Sequence, residues 1–504
     1  MKLKLPHSSQ NWISLVGATI ALISFFMIVF LFVVSTIFNQ GNTYLGLVIY
    51  IALPTVLVIG LLLIPLGMWI KIRKEKRTGV LAPQEWPVVD FNNLRHRNAF
   101  FIFSIGTSIF LLASAVGSYE AFRYTESVEF CGKTCHAVMK PEFVAYQNSS
   151  HARVACVECH VGSGAGWYVK SKLSGLYQVY AVTLGTVPRP IETPITNLRP
   201  ARETCEECHW PQKFYDRKLR TVKHFLADEN NSEWDVTLTM KIGSAVSPLG
   251  YQEGIHWHIN PNVKIEYKAS DAKRQAIPWV RYTNLKTGEV FVYEDSENKT
   301  DKKALDTMEA RIMDCMDCHN RPSHNYQPPA FFVNAGLTNG SIPKELPKIK
   351  LIAMEVLGQK FGTSDSARMM IYQKINSFYK DNYPDIYANK KYLVKKAISG
   401  IQDQFDKNIF PEMKVRWDVY PSNIGHLEFI GCFRCHNDSH TAVKQNKVIK
   451  KDCNLCHEIN AQGPPDKLEF APINSSLEFK HPGEEVGDSW KEMKCVDCHT
   501  GLNP

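Results

Sequence analysis

The sequence predicts a mostly α-helical chain with sparse regular structure. Three N-terminal transmembrane helices would lead into an outer domain built around cofactors and carrying a small β insertion. Three observations predict this. Three long runs in the first 120 residues carry no charge. All 14 cysteines lie at or beyond residue 131, most of them in one repeated motif. One stretch, 234–294, alternates apolar and polar residues and is rich in β-branched and aromatic side chains.

The uncharged runs are Trp12–Phe38, Tyr44–Ile70 and Ala99–Tyr119. Each matches or exceeds the ~20 apolar residues that cross a hydrocarbon core of about 30 Å. The first is too long for a signal-peptide core and no small-residue cleavage site follows it, so it reads as a retained anchor. Lys2 and Lys4 precede it, and the loop 71–97 carries seven Lys and Arg, whereas the loop NQGNT carries none. The positive-inside rule places the N-terminus and loop 71–97 in the cytoplasm. Residues 1–120 are thus the membrane domain, in the lipid bilayer of the inner membrane, and the third span delivers the rest to the periplasm. The net charge is +8, but beyond residue 120 there remain 49 basic and 46 acidic residues. No basic stripe marks the large domain, so nucleic acid is not an expected partner.

Six segments read Cys, two residues, Cys, His: CVECH (156–160), CEECH (205–209), CMDCH (315–319), CFRCH (432–436), CNLCH (453–457) and CVDCH (495–499). This composition would give on the order of 0.01 such motif by chance. A disulfide framework or a zinc site would not require a His after every second Cys. The motif attaches haem c: each sulfur adds to one vinyl group and the His reaches the iron. The sulfurs would come from Cys156 and Cys159, Cys205 and Cys208, Cys315 and Cys318, Cys432 and Cys435, Cys453 and Cys456, and Cys495 and Cys498. Cys131 and Cys135 remain, in FCGKTCHAVM, with three residues between them and His136 following. Decay would leave a stray Cys or a missing His, and neither is seen. We read it as a seventh attachment site with a bulged loop, and expect seven covalently bound haem c.

The proximal iron ligands would be His136, His160, His209, His319, His436, His457 and His499. Eight further histidines fall in the outer domain: His151, His224, His256, His258, His324, His426, His440 and His481. A six-coordinate haem needs a second axial ligand, commonly His. Eight candidates for at most seven irons is a close match, with His224, His256 and His258 sharing the demand left by the others. A haem with two protein ligands has no open position for a small substrate, so this supply favours electron transfer over terminal reduction.

The outer chain divides into 121–330, with four motifs and the β insertion 234–294, a haem-free and largely helical segment 331–425, and a trihaem segment 426–504. IPWVRYT and EVFVYE flank TNLKTGE as a hairpin. In NKKYLVKKAISGIQDQF, Leu393, Val394, Ala397, Ile398, Ile401 and Phe405 recur at helical spacing as a core stripe.

At HARVACVECH, LRPARETCEECHWP and CMDCHNRPSH the chain resembles the NapC/NirT family of membrane-anchored quinol dehydrogenases, over roughly residues 99–330. That family includes the anchor subunit of cytochrome c nitrite reductase. The resemblance implies one membrane helix, four haem sites, His151 serving the fourth haem and His324 the second. It implies that the first haem sits at the membrane beside a quinol site, with Met139 as a candidate axial ligand, although Met139 lies three after His136 where the family more often has two. Lys172 occupies the place of the family's basic quinol-pocket residue. The family's acidic partner is not found, since Gln178 and Tyr180 stand there; Glu120 or Glu142 could substitute. Three spans, this core and seven haem sites together resemble the inner-membrane heptahaem cytochromes of metal-reducing bacteria. The implied activity is that of a quinol:cytochrome c-type oxidoreductase in anaerobic respiration. It takes electrons from menaquinol and passes them to periplasmic c-type cytochromes or a reductase. Two alternatives stand beside it: a terminal reductase of a small nitrogen- or sulfur-containing oxidant with one open haem, and an anchor subunit for a separate catalytic reductase.

Overall fold

The computed structural model describes residues 7–37, 53–79, 90–134, 136–162, 164–195, 199–211, 214, 217–243, 254–483 and 486–502. Lys2, Lys4, the loop NQGNT, the first part of the expected second span, the middle of the basic loop and Cys135 lie outside them, as does the side chain of His136. Helices of eight or more residues are α1 (Trp12–Ile37), α2 (Leu53–Thr78), α3 (Leu94–Thr125), α4 (His136–Gln147), α5 (Ala165–Thr183), α6 (Pro329–Thr338), α7 (Ile349–Leu357), α8 (Ser364–Asn382) and α9 (Lys391–Asn408). The chain forms two compact units, one of residues 1–126 and 161–174, the other of 127–160 and 175–504.

In the first unit, α1 and α2 pack antiparallel through small residues. A Cβ on Gly17 would stand 2.7 Å from the Gly60 carbonyl oxygen, and one on Gly60 2.7 Å from the Ala21 nitrogen. Ser14 Oγ donates to the Ile64 carbonyl at 2.8 Å. Helices in lipid associate by such close backbone approach, because lipid offers no hydrophobic drive between them. Their outer faces leave Phe25, Phe26, Leu61 and Leu62 exposed. Among the described residues two helices, α1 and α2, are long and apolar enough to cross a membrane, where the sequence led us to expect three. The third expected span, 99–119, lies inside the helix α3.

The second unit is richer in sheet than expected. Strands β1 (Arg217–Phe225), β2 (Glu233–Lys241), β3 (Val263–Lys268), β4 (Trp279–Asn284), β5 (Val290–Asp295), β6 (Arg311–Ile312), β7 (His440–Ala442), β8 (Lys447–Val448), β9 (His457–Gly463) and β10 (Glu469–Phe470) form two antiparallel sheets. Their orders are β1-β2-β9-β10 and β6-β3-β4-β5-β7-β8. The expected hairpin is β4–β5, turning at Gly288 with φ +74°. The expected insertion 234–294 begins earlier, at Arg217, and both sheets are completed by strands from the C-terminal segment. β7 and β8 are two or three residues long, too short to carry a period in sequence.

Helices α6 to α9 hold the largest side-chain core. Val394, Ala397, Ile398, Ile401 and Phe405 of α9 are buried against Val333, Leu337, Ile371 and Ile375. The stripe read in the sequence is the buried face of this helix. Thr363 and Ser366 form a reciprocal cap that starts α8.

Candidate functional site

Each regular motif folds as a single turn. Cys156–His160 and Cys315–Cys318 are one-turn helices, and Gly431–Arg434 and Cys453–Leu455 are 3₁₀ turns. In an α turn, residues i, i+3 and i+4 share a face. Both sulfurs and the imidazole of one motif therefore face the same way. Asp314 starts the CMDCH turn with a reciprocal cap to Asp317. FCGKTCH has one residue too many for this arrangement. Residues Phe130–Thr134 take a single π turn instead. A π turn closes on i+5 and so takes up one residue more than an α turn. Gly132 is buried inside it, where a Cβ would run into the Phe143 ring. α4 follows at once and carries Met139, half-buried, one turn beyond His136.

Two imidazoles on opposite faces of one haem iron have ring centres roughly 6 Å apart: each iron–nitrogen bond is about 2 Å and each ring centre lies about 1 Å further out. Six motif histidines each face a second histidine at this spacing. The pairs are His160–His324 at 6.2 Å, His209–His151 at 6.1 Å, His319–His256 at 6.3 Å, His436–His258 at 5.9 Å, His457–His426 at 6.2 Å and His499–His481 at 5.8 Å. The residues present fit the cofactor that the motifs imply.

Hydrogen bonds fix the tautomers of five of the six facing histidines, all but His426. Nδ1 meets a backbone carbonyl in His256 (Ile242, 2.8 Å), His258 (Ile255, 2.7 Å), His324 (Glu142, 3.0 Å) and His481 (Pro482, 2.7 Å), and more loosely in His151 (Pro322, 3.4 Å). A carbonyl accepts only from N–H, so Nε2 is left bare, as a metal ligand requires. Burial holds His160, His256, His258, His319, His324 and His436 below the usual imidazole pKa, and holds His426 at about 4. All are therefore neutral at pH 7, the form that binds iron.

His440 and His224 differ. His440 is fully buried, with Nδ1 on Asn437 Oδ1 at 2.9 Å and Nε2 on the Ile277 carbonyl at 2.7 Å. Both its nitrogens are engaged. His224 lies on β1, opposite Trp234, and its pKa is pushed down to about 4 by burial and then by Lys350. It is in none of the six pairs. His324 faces the second motif's histidine, the site the resemblance implied. His151 faces the third motif's histidine in place of the fourth, because His256 already covers His319 with its ring nearly parallel, at 6°.

Lys172, on α5, has an acidic partner that sequence reading missed. Its Nζ lies 3.5 Å from Glu126 Oε1, and the Glu126 side chain is 10 % exposed. The ammonium also sits over the Tyr168 and Phe122 rings, at 5.2 and 5.6 Å. Burial and the Glu126 carboxylate push the Tyr168 hydroxyl above its usual pKa. Glu126 caps the C-terminal end of α3, 46 positions before Lys172, so no local spacing could reveal the pair. The two carboxylates considered from sequence are bound elsewhere. Glu142 pairs with Arg321 at 3.2 Å and Glu120 with Arg123 at 3.5 Å. Gln178 and Tyr180 are exposed on later turns of α5, which also exposes Leu173, Leu176 and Tyr177.

Residues 94–194 match the N-terminal region of the NapC/NirT cytochrome c family. The chain is 42 % identical over 494 residues to the cytochrome c-type protein ImcH of Geobacter sulfurreducens, covering 97 % of this chain and 95 % of that protein. The chain belongs to the NapC/NirT family of c-type cytochromes. It is also 31 % identical over 115 residues to the cytochrome c-type protein NrfH of Wolinella succinogenes, covering 22 % of this chain and 63 % of that one. No solved structure matches. Membership makes this a membrane-anchored electron-transfer cytochrome with covalently bound haem c.

Proposed function

We propose that this NapC/NirT cytochrome is an inner-membrane menaquinol dehydrogenase that delivers electrons to periplasmic c-type cytochromes or a reductase. The observation that carries the reading is the set of six imidazole pairs at 5.8–6.3 Å. Haem c, when bound, changes charge by one electron at a time. The six pairs would fill both axial positions of six haems, and Cys131, Cys135 and His136 or Met139 would hold a seventh. Filled positions bind no small oxidant, which favours an electron carrier over a terminal reductase. In this assignment His151, His256, His258, His324, His426 and His481 are distal ligands, and His224 and His440 are not.

The membrane end is assigned to Lys172 and Glu126. A quinol loses two protons as it is oxidised, so its site needs a donor to hold the oxygen and a base to take the proton. The Lys172 ammonium would hold the quinol oxygen and the Glu126 carboxylate would accept its proton, beside the Tyr168 and Phe122 rings. Met139 and Gln178 remain further candidates for the quinol surroundings. The exposed apolar side chains of α5 suit a bilayer surface, and α3 is assigned as a third span. The ligand reading is tested by low-temperature electron paramagnetic resonance of the ferric protein. Low-spin signals from six bis-histidine haems support it. A high-spin haem at one of the six paired sites would move the reading to a reductase.

A further inference from the structure

Residues Ile255–Ile259 form one short 3₁₀ turn, IHWHI, that holds two of the six facing histidines two positions apart. His256 faces His319 of the fourth motif at 6.3 Å, and His258 faces His436 of the fifth at 5.9 Å. The fourth and fifth motifs are separated by 112 residues of haem-free chain, yet one turn serves both. Alternate Cα atoms stand at most about 7 Å apart, so the two histidines are tied rigidly. Each Nδ1 is fixed on a carbonyl, of Ile242 and Ile255, which aims each Nε2 at its own partner.

The motifs themselves are stitched together at this point. Arg434, inside CFRCH and 9 % exposed, donates to the Asp317 carbonyl inside CMDCH at 2.9 Å. It donates also to the Arg274 carbonyl at 2.9 Å. Asn423 Nδ2 donates to the same Asp317 carbonyl at 3.0 Å. The Asp317 side chain, 2 % exposed, accepts from Tyr267 (2.6 Å), Arg311 (2.8 Å) and Arg274 (3.2 Å). A buried carboxylate held by two guanidinium groups is costly to place, and removing a guanidinium partner leaves charge less well matched. This network fixes the two motif turns against each other.

We propose that the His256–Trp257–His258 turn is the junction between the four haem sites of the N-terminal group and the three of the C-terminal group. It supplies one axial ligand to the fourth site and one to the fifth. The inference rests on the haem reading above, but on its ligand assignment and not on the quinol site.

The test uses full-length haem-loaded protein in membranes, as wild type, His256→Met, His258→Met and His224→Ala. Each Met variant should lose one low-spin bis-histidine signal and gain one His–Met signal, with the haem content still at seven per chain by pyridine haemochrome assay. His224→Ala should leave all signals unchanged. Spectroelectrochemical titration should show one haem moving to a higher potential in each Met variant, a different haem in the two cases. The second readout is reduction by menaquinol. In His258→Met the fifth haem should be reduced at least as early as in wild type, the haems beyond it should lag, and the first four should reduce as in wild type. Unchanged bis-histidine signals in both Met variants would overturn the proposal, as would the same haem responding in both. If menaquinol reduces no protein, wild type included, the quinol reading fails while the spin-state and potential shifts still decide the junction.

Discussion

Lys172 and Glu126 show what one residue contributes and how far sequence can reach it. Lys172 was reached in sequence, because a family position led to it, and its place in a quinol site is a proposal. Glu126 was not, because the contact joins the end of α3 to α5 across 46 positions. Glu126→Gln removes the base and keeps the shape. It should slow menaquinol-driven haem reduction by about 100-fold, with haem content unchanged; a wild-type rate would remove Glu126 from the site. The histidines divide in the same way. All eight distal candidates were visible as a pool, but only the ring pairings and the hydrogen bonds separate them. His440 has its Nε2 on the Ile277 carbonyl and His258 does not, a difference that no spacing encodes. Lys350 adds a test of stability. Burial lowers its ammonium from 10.5 to about 8, and its Nζ donates to the Phe225 carbonyl. Between those values the unfolded chain binds more protons than the folded one, so stability rises with pH across the window. Relative to Lys350→Met, wild type should gain roughly 3 kcal/mol between about pH 8 and 10.5, read by denaturant melts at each pH.

At the scale of elements, long periodic segments were legible and short ones were not. Five of the six α9 stripe residues are buried, with Leu393 partly buried at the edge, because 18 residues give several turns of pattern. Phe405 is fully buried among α6, α8 and α9, and Phe405→Ala should cost about 3–5 kcal/mol in a chemical melt. The strands β7, β8 and β10 were missed since two or three residues carry no period, and their sheet partners lie far away in sequence. The π turn at Phe130–Thr134 was visible only as an irregular spacing, and the structure gives that spacing its geometry. Gly132→Ala tests it. The added methyl runs into the Phe143 ring, so the ring or the turn must move, and the first attachment site should be lost. The protein should then carry six haems per chain by pyridine haemochrome assay and intact mass. Seven haems with an unshifted first site would show that the turn is not needed.

The whole molecule joins an anchor packed through glycines to a domain ordered by imidazole pairs and one helical core. Composition and six repeated motifs made the class of the protein readable before any coordinates. The grouping of the motifs, four at 131–319 and three at 432–499, was on view in the sequence, but not the link proposed between them, since it depends on a two-residue spacing inside IHWHI. Nor was it readable that both sheets draw on the C-terminal segment, which ties the two groups into one unit. The central claim is that electrons enter from menaquinol at the membrane end. Stopped-flow absorbance of membranes containing the full chain, mixed with menaquinol, tests it most directly. The account predicts that wild-type haems are reduced and that Lys172→Ala slows the reaction by about 100-fold while dithionite still reduces every haem. Wild-type haems that stay oxidised with menaquinol, or a Lys172→Ala variant reduced at the wild-type rate, would contradict it.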